Sequence, residues 1–153
     1  MFDELQDKVD NPKVVEEFKD KIKILGTADD KEKETITQST FSEKIIDLIS
    51  KDPMDDRNTY KKGKTPDKFS GKELERRPLR NIFIDEKDAD IAKILWNFFD
   101  AVQDKWPNSW WKVEREKVLN KSTGFIALMR FFKDVYSNSG RIGEVIEKEY
   151  YLE

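Results

Sequence analysis

Cysteine and histidine are both absent from this chain. Without cysteine there are no disulfides, no thiolate nucleophile and no thiolate–zinc centre, and a cytoplasmic setting is the expectation. Without histidine the commonest general base and the commonest transition-metal ligand are gone. Carboxylates and carbonyls remain as metal ligands, and these suit Mg²⁺ or Ca²⁺. The acidic runs Asp29-Asp30, Asp55-Asp56 and Asp85-Glu86-Asp88 lack the alternating ligands, central glycine and terminal glutamate of a calcium loop. They read as solvated surface carboxylates, and no metal or cofactor is expected. No apolar run approaches the length of a membrane span, and the N-terminal stretch MFDELQDKVD is acidic. Neither a transmembrane helix nor a signal peptide is therefore expected.

Charged residues make up 40% of the 153 and hydrophobic residues 37%, so the apolar side chains must be concentrated in a few elements. The net charge of −3 gives the chain as a whole no pull toward polyanions. The length suits one domain with a real core. The pattern predicts a mainly α fold, a single helical domain over residues 1–153 with about five helices. Short strands are expected at most near Ile24 and Ile36.

Asn11-Pro12 is a helix start, and Val14, Val15, Phe18 and Ile22 fall on one face behind it, ending at Gly26. Thr40 and Glu43 have capping-box spacing, with Ser39 and Thr37 as competing caps. Phe41, Ile45, Leu48 and Ile49 form the next stripe, and Asp52-Pro53 stops it. Residues 11–50 thus make an N-terminal helical segment. Residues 54–80 lack periodicity and hold Gly63, Pro66, Gly71 and Pro78. They read as one long basic surface loop, mobile in the free protein, with one helical turn near Lys72–Arg77. Between Arg57 and Arg80 stand nine basic and three acidic residues, so the remainder of the chain is strongly acidic.

Residues 85–150 form the aromatic-rich core. Asp85 or Asp88 should cap a central helix ending near Lys105. Ile91, Ile94, Leu95, Phe98, Phe99, Val102 and Trp106 follow its apolar stripe, and Trp96 lies off it. After the turn Trp106-Pro107-Asn108-Ser109-Trp110-Trp111, Ser122 or Thr123 caps a second helix. Phe125, Leu128, Met129, Phe132, Val135 and Tyr136 form its buried face, and Asn138-Ser139-Gly140 ends it. Ile142, Val145, Ile146 and Tyr150 predict a last short helix.

Two candidate binding features stand out. Lys61, Lys62, Lys64, Lys68, Arg76, Arg77 and Arg80 could contact nucleic-acid phosphates, with Tyr60 and Phe69 interleaved for stacking. A solvated lysine-rich surface is the more ordinary reading. Lys121, Ser122 and Thr123 at a helix start could hold an anion. A phosphate-binding loop would need glycine directly before the lysine, and Asn120 stands there. Simple helix capping is the more ordinary reading of these residues. Trp96 is the expected contact for a protein partner or for self-association. No catalytic residue can be named, and the expectation is no enzyme.

Several pieces in order are similar to the C-terminal part of the DGQHR-domain family. They are Ile36-Thr37-Gln38-Ser39-Thr40-Phe41, then Ile94-Leu95-Trp96-Asn97-Phe98-Phe99-Asp100-Ala101-Val102. Trp106-Pro107 with Trp110 or Trp111 follows, and then Leu119-Asn120-Lys121-Ser122-Thr123-Gly124-Phe125-Ile126-Ala127-Leu128. The resemblance runs from about Asn11 to Tyr136. Those bacterial proteins are named for an Asp-Gly-Gln-His-Arg motif, and they include regulators associated with DNA phosphorothioate modification. In that motif they resemble the ParB-like superfamily. The naming motif is absent here. The resemblance implies a non-catalytic helical domain that assists a DNA-modification or defence system by binding a partner protein or DNA. The alternative is a structural or protein-interaction domain of a mobile element with no nucleic-acid contact.

Overall fold

A computed structural model describes residues 38–111 and 122–153. Eight helical segments and no strand occur among the described residues, so the fold is mainly α. The strand positions near Ile24 and Ile36, and the Asn11–Ile22 helix, lie outside the described residues.

α1 spans Gln38–Asp47. Its apolar stripe is as expected, with Phe41 and Ile45 buried and Leu48 and Ile49 buried in the turn that follows. Ser39, inside the first turn, donates to the Glu43 carboxylate at 3.3 Å. Two i→i−3 bonds, Leu48 N–H to Ile45 and Ile49 N–H to Ile46, tighten the exit.

The expected long loop over 54–80 is instead divided among short helices, of which the one at Gly71–Arg76 is the helical turn expected near Lys72–Arg77. α2 spans Pro53–Lys61, α3 Gly71–Arg76, and α4 Arg80–Ile84. Asp52-Pro53 both ends the first stripe and starts α2. The Asp52 carboxylate accepts from the N–H groups of Met54 at 3.1 Å and Asp55 at 3.0 Å, and Pro53 occupies the first turn, where its missing N–H costs nothing. No residue of α2 or α3 is fully buried, so neither left an apolar stripe to read.

Arg80 fastens this region to the core. It is 3% exposed, and both terminal nitrogens meet the Asp56 carboxylate on α2. Its Nε donates to the Asp67 carbonyl at 2.9 Å, and a terminal nitrogen reaches the Ile49 carbonyl at 3.4 Å. The Phe69 ring lies 4.3 Å from the guanidinium carbon. Asn81 exchanges two hydrogen bonds with the Phe69 backbone, at 2.9 and 3.0 Å. One arginine and one asparagine thus hold α1's exit, α2 and the 67–69 strip together. A guanidinium satisfied on this many sides can be buried; one stripped of its carboxylate cannot be cheaply.

α5 spans Asp88–Lys105 and carries the core. Lys87, not an aspartate, occupies its cap position, while Asp88 and Asp90 place negative charge in the first turn against the positive helix end. Ile91, Ile94, Leu95, Phe98, Phe99 and Val102 are all buried, as the spacing predicts. Trp106 is not: the helix ends at Lys105 and Trp106 turns out of it, 40% exposed. α6 spans Pro107–Trp111 and α7 spans Ser122–Asn138. Phe125, Leu128, Met129, Phe132 and Tyr136 are buried on α7, with Val135 half-buried.

α5 and α7 meet through phenylalanine rings. Phe98 stands edge-on to Phe132 at 5.2 Å, and Phe99 stacks on Phe125 at 5.9 Å. Phe125 also lies 5.6 Å from Phe41, which ties α1 to the same cluster. α3 lies against the other end of α7, where Ser137 donates to the Glu75 carbonyl at 2.7 Å.

Past Gly140, whose φ of +70° ends α7, the chain turns back under Tyr136. The Tyr136 hydroxyl donates to the Glu144 carbonyl at 2.8 Å and accepts the Gly143 N–H at 3.0 Å. The last helix, α8, spans Lys148–Leu152. The expected face Ile142, Val145, Ile146 and Tyr150 is thus mostly not helical: Ile146 is a fully buried anchor ahead of the helix.

Two consequences can be measured. Arg80→Ala leaves the half-buried Asp56 without its cation, and the loss in chemical denaturation should be about 3 kcal/mol, the low end of the range for a buried pair. Burial pushes the Tyr136 phenol up to about 12, against the opposing Gly143 N–H bond. An unfolded tyrosine ionises near 10. The stability Tyr136 contributes should therefore be intact below pH 10 and lost as the pH rises toward 12. Denaturation at a series of pH values checks this, and Tyr136→Phe should flatten the decline.

Candidate functional site

The seven basic residues expected to contact nucleic acid do not form one equivalent set. Lys61 and Lys62 close α2, Lys64 follows it, and Arg76 ends α3; all four are exposed. Among the described residues none of the four has an ion-pair partner, and neither does exposed Lys72. Lys68 is exposed but pairs with Asp85 at 2.6 Å. Arg77 is half-buried and turns one terminal nitrogen onto the Arg76 carbonyl at 3.3 Å. Arg80 is removed from the set altogether: it is inside the protein and fully used. Of the two interleaved rings, Phe69 is held against Arg80, and Tyr60 packs on the core. Neither is free to stack on bases.

Beside Arg80 lies a polar cleft of about 390 Å³, lined by Asp52, Asp55, Asp56, Lys64, Asp67 and Arg80 among others. Its charges are mixed. Among the described residues no group of three or more acidic side chains is placed to hold a metal ion. At the α7 start, Ser122 and Thr123 lie in the first turn, while Lys121 lies outside the described residues.

The surface that stands apart is apolar. A groove of about 400 Å³ runs between α5, α7 and α8. Phe98, Ala101 and Val102 form its floor from α5, Phe131 and Val135 one wall from α7, and Tyr150 and Tyr151 the other from α8. Trp106 and Lys105 close one end, with the Lys105 ammonium 5.8 Å from the Trp106 ring. Phe131 is 51% exposed and lies 6.2 Å from Phe98, so it continues the core's aromatic cluster out to solvent.

Trp96, the expected contact, is half-buried and packs on the core cluster. The exposed aromatic side chains at the groove are Phe131 and Trp106. Phe131 is off the α7 stripe just as Trp96 is off the α5 stripe, so the same signal was present. Trp106 has the spacing of a core residue, and only the helix end turns it outward. No helix among the described residues is long and apolar enough to cross a membrane.

No protein-family model, no curated protein and no solved structure matches this chain.

Proposed function

We propose that this chain is a non-catalytic helical interaction domain that seats an apolar segment of a partner protein in the α5–α7–α8 groove. The observation that carries the reading is the continuity between core and surface, where Phe98 on the floor touches both buried Phe132 and exposed Phe131. An amphipathic helix laid in such a groove buries its anchors without reshaping the domain. The sequence supports the same reading from the side of chemistry, since histidine and cysteine are absent. The resemblance to the C-terminal part of DGQHR proteins gives the proposed setting, a bacterial DNA-modification or defence system.

A second reading, contact with DNA, is favoured by the exposed Lys61, Lys62, Lys64, Lys72 and Arg76, which have no ion-pair partner among the described residues. Such charges would position a backbone without reading sequence. Purely structural service without nucleic acid is the remaining alternative.

Affinity capture with the wild-type chain and a Trp106→Asp/Phe131→Asp variant separates these. Phe131 contacts Phe98, so the variant is compared at a temperature where circular dichroism shows it folded, and there a stoichiometric protein partner should be lost. Equal capture by both proteins would sink the groove reading. Duplex DNA binding that falls steeply with salt and survives in the variant would favour the second reading. Turnover of DNA or nucleotides abolished by one point mutation in the chain would overturn the non-catalytic assignment.

A further inference from the structure

We propose that the apolar groove is covered in the free protein by the chain's own N-terminal stripe, Val14, Val15, Phe18 and Ile22, which a partner segment must displace. The regulatory sense rests on the groove reading; the docking itself needs no partner. The stripe lies outside the described residues and is read from its sequence. Asn11-Pro12 opens a helical pattern with these four residues on one face and charged residues over most of the rest. A helix of that kind is stable only when its apolar face lies on an apolar surface.

The groove is such a surface. Of the large hydrophobic side chains exposed among the described residues, Trp106 and Phe131 line it and Leu152 is on its α8 wall. Met54, on α2, stands elsewhere. The dimensions also agree. The groove floor follows α5 from Phe98 to Lys105, a rise of about 11 Å. Val14 to Ile22, wound as a helix, rise about 12 Å. Phe18 falls at the middle of the stripe and is its aromatic anchor, suited to the exposed ring of Phe131.

The connection is long enough. α1 begins at Gln38, and its Phe41 lies 5.6 Å from Phe125 on α7. Phe131 stands further along α7 by about 9 Å. Residues 26–37 join the stripe to α1, and a chain of that length spans about 40 Å when extended. A compact domain of this size has a radius of gyration of only about 13 Å. Tethering also sets the competition. A segment on a short linker acts at an effective concentration in the millimolar range. The stripe therefore excludes weak apolar partners and yields to one that binds better. A second copy of the chain lacks that advantage.

Because the chain has no cysteine, the single change Lys21→Cys places a nitroxide on the flank of the stripe. In the full chain it should broaden the amide resonances of Phe131 to Val135 and of Tyr150 and Tyr151 before those of Met54 to Lys61 on α2. Phe131→Asp in the same labelled protein should abolish that preference. Phe18→Asp should raise binding of the apolar dye anilinonaphthalene sulfonate, and Asp20→Asn, on the polar face, should not. Even broadening across the domain, or broadening centred on α2, would overturn the proposal. So would a Phe18→Asp variant that binds no more dye. Groove broadening in an isotope-labelled chain without nitroxide, mixed with one that carries it, would make a second copy the occupant and also overturn it. Selective broadening in a protein whose Trp106→Asp/Phe131→Asp variant captures the same partners would support the docked stripe and remove only the partner reading.

Discussion

Phe98 is the contact on which the rest of this fold converges. Its ring meets Phe99 on its own helix, Phe131 and Phe132 on α7, and Tyr151 on α8. Four rings around one residue join three helices. A chain with 40% charged residues has few apolar side chains to spend on a core, so large aromatic ones at the crossing point bury the most area each. The groove follows from the same arrangement. Phe131 is the ring of that cluster which α7 carries past the edge of the core.

The second constraint is polar and lies at the opposite end of the fold. Arg80 gathers Asp56, the Ile49 and Asp67 carbonyls and the face of Phe69 into one buried site. α2 and α3 have no fully buried residue, so apolar burial alone would not fix them. Leu79, fully buried and bonded through its N–H to the Leu48 carbonyl at 3.1 Å, sets the neighbouring position. The positive charge that made residues 54–80 look like a nucleic-acid surface is therefore divided. Part of it builds the domain and part faces solvent.

What could be read from the sequence was whatever repeats with helical period. The stripes of α1, α5 and α7 did, and the residues expected on them are buried apart from Trp106 and the half-buried Val135, with Ile46, Ala92 and Ala101 buried beside them. The Trp106 exception has a local cause, since a helix end breaks the periodicity on which the expectation depended. Residues 54–80 failed for the converse reason. Their short helices are fixed by single polar contacts across 24 residues, from Asp56 to Arg80, and no local pattern reveals such a partner. The last helix was misplaced because Ile146 is buried in an extended segment, where apolar spacing says nothing about helix phase. As for the candidate site, the off-stripe position of Phe131 was legible, and its meeting with Trp106 and α8 was not.

The central claim is that α5 and α7 are joined, and the groove floored, by Phe98. Chemical denaturation of Phe98→Ala tests it most directly. The side chain is 2% exposed, and removing it should cost about 3–5 kcal/mol. A change within about ±0.5 kcal/mol, the range of ordinary surface substitutions, would contradict the claim.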